Sequence, residues 1–172
     1  MKLNLGCANA HEPGYWNVDL CPPADELVDL SYPWPWKDSS IEEILARDIA
    51  EHIPDWPRHP GTPDWQTYSH RHWSGRIHFL NECHRVLIPG GLLVIEVPSA
   101  SHGAGYAQDP THVQPYTLNS FQYFQSGSFA HMRLARSYGI TAAFDIIELG
   151  ERMYRDVIED VWKITARLRA VK

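Results

Sequence analysis

The sequence predicts an α/β fold: one mostly parallel sheet with helices on both faces, an antiparallel C-terminal strand pair, and a first crossover helix that is reduced or missing. Three observations lead there. Short β-prone segments alternate with turns over the first ninety residues. An amphipathic stripe over residues 73–87 stops at Pro89-Gly90-Gly91 and gives way to an apolar run at 92–97. Residues 162–170 alternate apolar and polar side chains with the period of two that defines a strand.

Residues 2–5 form the first expected strand, ended by Gly6, and residues 15–19 the second, after the turn pair Pro13-Gly14. Only thirteen positions separate Gly6 from Asp19, too few for a full crossover helix. Strands at 26–30 and 41–46 follow, separated by a loop rich in Pro and Trp, and a helical turn is expected over 47–53. Residues 54–67 hold four prolines and two tryptophans and read as irregular loop. Trp73, Ile77, Leu80, His84 and Leu87 then recur at helical spacing. The run 92–97 has no polar alternation until Glu96, as in a strand buried on both faces. A helix is expected over 117–125, and residues 143–149 are the expected antiparallel neighbour of the last strand.

The chain of 172 residues suits one domain spanning 1–172, with no repeat or linker to divide it. Hydrophobic residues at 44% and charged residues at 21% exclude a disordered chain. Residues 1–126 carry seven basic and fifteen acidic side chains, and residues 127–172 carry eight and six, for a net charge of −6. That distribution does not suit binding to duplex nucleic acid, which needs clustered positive charge. No apolar stretch approaches the roughly 18 residues of a membrane span. With no secretory leader, and with Cys7, Cys21 and Cys83 in no paired motif, a cytoplasmic location is expected.

Ligands of open parallel sheets bind beyond the carboxyl ends of the strands. Those ends carry Gly6-Cys7-Ala8-Asn9, Asp19-Leu20, Asp29-Leu30, Arg47-Asp48 and Pro98-Ser99. Gly6 permits close backbone approach, and two carboxylates on successive strands suit a ligand rich in hydroxyl and amine donors. The same residues also fit a plain turn and a pair of caps.

Several motifs resemble one family. Leu3-Asn4-Leu5-Gly6-Cys7 with Gly14-Tyr15-Trp16-Asn17-Val18-Asp19 is similar to the opening of compact class I S-adenosylmethionine-dependent methyltransferases, of the type 11-like kind. Tyr32-Pro33-Trp34-Pro35 with Asp38 to Ile44 resembles their LPFPDNSFDEI stretch, and Glu51-His52-Ile53 their LEHI. Glu82-Cys83-His84-Arg85-Val86-Leu87-Ile88-Pro89-Gly90-Gly91 resembles ExxRVLKPGG, and Asp109-Pro110-Thr111-His112 with Tyr116-Thr117 resembles DxTHxxxFT. The resemblance covers roughly residues 3–126. It implies a Rossmann-like fold, S-adenosylmethionine as cofactor and a small-molecule acceptor. It further implies cofactor contacts from Gly6, Cys7, Ala8, Asp19, Leu20, Asp29, Leu30 and Arg47. The family's GxGxG loop is here Gly6-Cys7-Ala8-Asn9-Ala10, with alanine at the second and third glycine positions.

Methyl transfer asks the protein to position a nucleophile and, where the acceptor carries a proton, to remove it. His112, Asp109 and His52 are the candidates by position, with His102 behind them. Segment 54–70 is expected to act as a lid or acceptor wall. No metal site is expected, because His70, His72, His78, Cys83 and His84 lack the spacing of a helical or knuckle zinc site. The alternative from a different class is a non-catalytic module of the same fold that binds a protein partner through its Trp- and Pro-rich loops.

Overall fold

The computed structural model describes residues 1–55, 74–102, 105–155 and 160–172. Its seven strands are β1 (Lys2–Leu5), β2 (Trp16–Asp19), β3 (Glu26–Leu27), β4 (Ile41–Arg47), β5 (Leu87–Pro98), β6 (Phe144–Arg155) and β7 (Asp160–Ala170). The helices are α1 (Gly75–Val86) and the short α2 (Phe129–Leu134), with 3-10 turns at Ala50–His52, Ala100–His102, Leu118–Tyr123 and Arg136–Tyr138. The strands lie in the order β3-β2-β1-β4-β5-β7-β6. All neighbours through β5 are parallel, and β7 runs antiparallel to both β5 and β6. The sheet and its antiparallel edge are as the sequence predicts. The expected lid at 54–70 lies outside the described residues apart from Pro54 and Asp55.

Several expected elements change length for local reasons. The third strand shrinks to two residues, because Asp29 turns the chain by accepting from the backbone N–H and hydroxyl of Ser31. The expected helix over 117–125 is a 3-10 turn, started by a reciprocal cap between Thr117 and Ser120. Pro89-Gly90-Gly91 ends α1 without leaving the sheet. It is absorbed as an irregularity inside β5, between the pairs Ile41–Leu87 and Glu43–Leu92.

One face of the sheet carries the core. Leu3, Ile44, Leu93 and Leu168 lie in register, as do Leu5, Ala46, Ile95 and Ala166, and all are buried. Phe79, Leu80, Cys83 and Val86 of α1 pack on them, together with Tyr116, Phe121, Phe124 and Phe144. Arg85 fastens α1 to the loop before β4. Its guanidinium donates to both oxygens of Glu82, to the carbonyls of Trp34 and Trp36, and to Asp38. That use of all five N–H donors in a fixed fork explains arginine in the ExxRVL stretch.

The opposite face differs from expectation. Its rows read Lys2, Glu43, Leu92 and Arg169, then Asn4, Leu45, Val94 and Arg167, then Arg47, Glu96 and Thr165. Among the described residues no helix covers it, because the links between β1, β2, β3 and β4 contain none. In place of a first helix, residues 6–15 close over a polar cluster. Asn4 donates to the carbonyl of Ala10 and to Asn17 Oδ1, which also accepts from Glu12 N–H, while Asn17 donates to Asp25. Hence β5 is buried on one face only, through Leu93, Ile95 and Val97, and half-buried at Leu92 and Val94.

Ala8 sits at φ 43, a left-handed conformation that strains any side chain. Ala8→Gly should therefore raise stability by about 0.5–1 kcal/mol despite glycine's greater freedom when unfolded, read as a higher denaturation midpoint. His78 and His84 are held with lowered pKa, chiefly by burial, each donating a ring N–H to a carbonyl, of Tyr32 and Val171 respectively. The unfolded chain protonates these rings first, so their contribution is present above about pH 6.5 and is lost as pH falls below it. Between pH 7.5 and 5.5 the wild-type Tm should drop further than that of the double variant His78→Gln, His84→Gln.

Candidate active site

The strand order reverses at β1, which has β2 on one side and β4 on the other. There, at the carboxyl ends, lies a solvent-open cleft of about 110 Å³. Gly6, Asp19, Leu20, Asp29 and Leu30 line it from the first three strands, with Val28 and Ser31. Ile49, His52, Ile53 and Pro54 line it from the turn after β4. A Cβ on Gly6 would stand 2.6 Å from the Ile49 side chain, and its φ is +66, so the position requires glycine twice over.

Asp19 organises the loop around this glycine. Its Oδ2 accepts from Ala8 N–H at 2.8 Å, and its Oδ1 accepts from the N–H groups of Leu20 and Cys21 at 2.7 and 3.3 Å. Gly6 and Cys7 both donate to the carbonyl of Val18. Cys7 is buried beneath the loop, and burial, followed by the neighbouring Asp19, pushes its thiol pKa up. Asp29 Oδ1 takes both donors of Ser31, and Leu30 accepts from the Trp34 indole. Cys7, Ala8 and Arg47 are not lining residues. Arg47 lies on the polar sheet face, 3.1 Å from Glu12.

Beside the cleft, His52, Asp109 and His112 come together as the sequence suggests, and Glu51 joins them. The carbonyl of Glu51 accepts from Val113 and Gln114 N–H, each at 2.9 Å, which draws the segment after β5 against the turn after β4. The two imidazoles meet edge to face with centroids 4.7 Å apart. His112 Nδ1 donates to the carbonyl of Tyr106 at 2.9 Å, which places the lone pair of the neutral ring on Nε2. That Nε2 stands 3.7 Å from Asp109 Oδ2 and 3.9 Å from Glu51 Oε1. Thr111 binds Asp109 Oδ1 through both its N–H and its hydroxyl, holding the Asp109 carboxyl below its usual range. With its proton committed there, the Thr111 oxygen accepts from His52 Nδ1 at 3.0 Å.

Glu51 is wholly buried, and among the described residues neither carboxylate oxygen has a hydrogen-bond donor. Burial pushes its pKa up to about 8, with Asp48 and Asp109 adding to the rise. His102 stands apart from this group, stacked on Trp162 and 3.2 Å from Glu151.

Sequence reasoning missed Glu51 and Ile49 as site residues. Glu51 was visible beside His52 in the EHI stretch, at the carboxyl end of a strand. The orientation that buries its carboxylate depends on Val113 and Gln114, about sixty residues away, and has no local signature.

The sequence matches no protein-family model and no curated protein. Solved structures do resemble the fold. A SAM-dependent methyltransferase from Methanosarcina mazei aligns with 99% of this chain and 92% of its own, at TM-score 0.60 and 13% identity. The Burkholderia thailandensis 1,6-didemethyltoxoflavin-N1-methyltransferase, solved with its substrate and S-adenosylhomocysteine, aligns at TM-score 0.54 and 13% identity over 99% of this chain and 71% of its own. The N-methyltransferase NodS of Bradyrhizobium japonicum, with S-adenosylhomocysteine, aligns at TM-score 0.54 and 13% identity over 99% and 78%. The chain thus has the fold of the class I S-adenosylmethionine-dependent methyltransferases.

Proposed function

We propose that this protein transfers a methyl group from S-adenosylmethionine to a small-molecule acceptor. The observation that carries the reading is the cleft at the strand-order reversal, lined by a glycine that admits no Cβ and by His52, with Glu51, Asp109 and His112 clustered about that histidine. The cofactor supplies an electrophilic methyl on a sulfonium, so the protein's work is positioning, exclusion of water and management of a proton.

The residues fit such a cofactor. Gly6 leaves room for the nucleoside against the end of β1. Asp19 and Asp29 keep unused acceptor lone pairs beyond their backbone bonds, which suits ribose hydroxyls and amine donors. Leu20, Val28, Leu30 and Ile53 give apolar walls. His112 Nε2 is the basic nitrogen available to an acceptor proton, with Asp109 stabilising the imidazolium that would form.

Calorimetric titration with S-adenosylmethionine and S-adenosylhomocysteine tests the reading directly: saturable binding of either is expected, and no heat at millimolar ligand would overturn it. Asp19→Asn keeps one oxygen for the loop and removes the charge, so it should weaken binding by roughly ten- to 150-fold, the worth of a charged hydrogen bond. Its ligand-free Tm should change by only a few degrees. Unchanged affinity would leave Asp19 a loop clamp alone. His112→Ala should leave cofactor affinity within about twofold, since the ring does not line the cleft, and lower transfer to a protic acceptor by roughly 10²- to 10⁴-fold. Single-turnover transfer from labelled cofactor measures that loss.

A further inference from the structure

We infer that Glu51, His52 and His112 form a binding site for one divalent metal ion at the edge of the cleft. One carboxylate oxygen and one ring nitrogen from each histidine lie within 4.8 Å of one another. Two imidazoles and a carboxylate form a borderline donor set suited to zinc, manganese, iron or cobalt ions. The site differs from the zinc patterns that sequence spacing rules out, because its ligands come from two segments sixty positions apart.

Independent features around the ligands point to a cation. Glu51 is a fully buried carboxyl group whose two oxygens find no donor among the described residues. A buried carboxylate without a partner is costly, so the group needs either a proton or a positive charge. His112 gives Glu51 no hydrogen bond: its Nε2 stands 3.9 Å from Oε1, at the outer edge of an ion pair, and its Nδ1 is turned to the Tyr106 carbonyl. The outer contacts are those that orient metal-binding histidines. His112 is fixed through Nδ1 by a backbone carbonyl, and His52 through Nδ1 by Thr111, itself held by Asp109.

Ligands of one ion at about 2.1 Å stand roughly 3–3.5 Å from each other. The cluster must therefore contract by about an ångström on loading. His52 has the most room to move, being half-buried in a short 3-10 turn and held at its ring by one hydrogen bond to the exposed Thr111, whereas Glu51 and His112 are pinned by Val113, Gln114 and Tyr106. An ion on His112 Nε2 takes the lone pair that the methyl-transfer reading gives to the acceptor's proton, so the metal-loaded and proton-accepting states of this site exclude one another. Any effect of the ion on turnover rests on that reading, and the metal site itself does not.

The test is titration of metal-free protein with Mn²⁺ and separately with Zn²⁺, by calorimetry and by the shift in Tm, without cofactor. One ion per chain should bind, with a raised Tm. His52→Ala, at a half-exposed position, should fold normally and lose at least about tenfold in affinity, and Glu51→Gln should lose as much while keeping the shape of the core. No saturable binding of either ion up to millimolar concentration overturns the proposal. So does equal affinity in both folded variants, which would locate the ion elsewhere. Cofactor titration of the same metal-free samples separates the two readings, because S-adenosylmethionine can bind where the metal does not, and the reverse.

Discussion

The site depends on one backbone oxygen. The carbonyl of Glu51 accepts from two successive N–H groups, of Val113 and Gln114, and no other described backbone bond ties the turn after β4 to that segment. Each such bond contributes on the order of 1 kcal/mol, but their geometric effect is larger than their energy. They set the position of His112 against His52 and turn the Glu51 side chain inward. The Gln114 side chain extends the link by donating to Asp55 Oδ1 at 2.6 Å, and the same oxygen accepts the first N–H of α1, from Gly75. Three segments of the chain are thus held at one point, and a carboxylate at the start of α1 also complements its dipole.

A second knot works at the other end of α1. Arg85 and Glu82 secure the loop carrying Trp34 and Trp36, whose rings pack edge to face and continue onto Phe79. Because that loop follows directly from Asp29 and Leu30, α1 steadies one wall of the cleft without lining it. Structural arginine and cleft carboxylate lie far apart in sequence yet within one packed unit.

Much of this was legible in the sequence where local chemistry decides. The strands carrying Leu3, Ile44 and Leu93, the α1 stripe through Leu80, and the period-two pattern of β7 all reflect backbone periodicity meeting a core. Asp19, Asp29 and His52 could be placed at the cleft because strand ends position them. What escaped was set by tertiary contact. The backbone sign at Ala8 depends on its bond to Asp19, the loss of the third strand beyond Leu27 on the turn at Asp29, and the burial of Glu51 on residues 113 and 114. Arg47 shows the converse limit: it ends β4 as expected, but the alternation of the strand turns its side chain away from the cleft toward Glu12.

The polar face of the sheet has a thermodynamic consequence. Unfolding raises the heat capacity in proportion to the apolar surface newly exposed, while polar surface lowers it. Here the described rows hold Lys2, Asn4, Glu43, Arg167 and Arg169 beside the buried Leu45 and the half-buried Leu92 and Val94, so they give up less apolar area than the core face, and Asn4 and Asn17 are buried as polar groups. The melting of this sheet therefore carries a smaller heat-capacity increment per residue than one insulated by apolar helices on both sides. The stability of the chain should vary less with temperature on either side of its maximum, and its denaturant dependence should be shallower for its length.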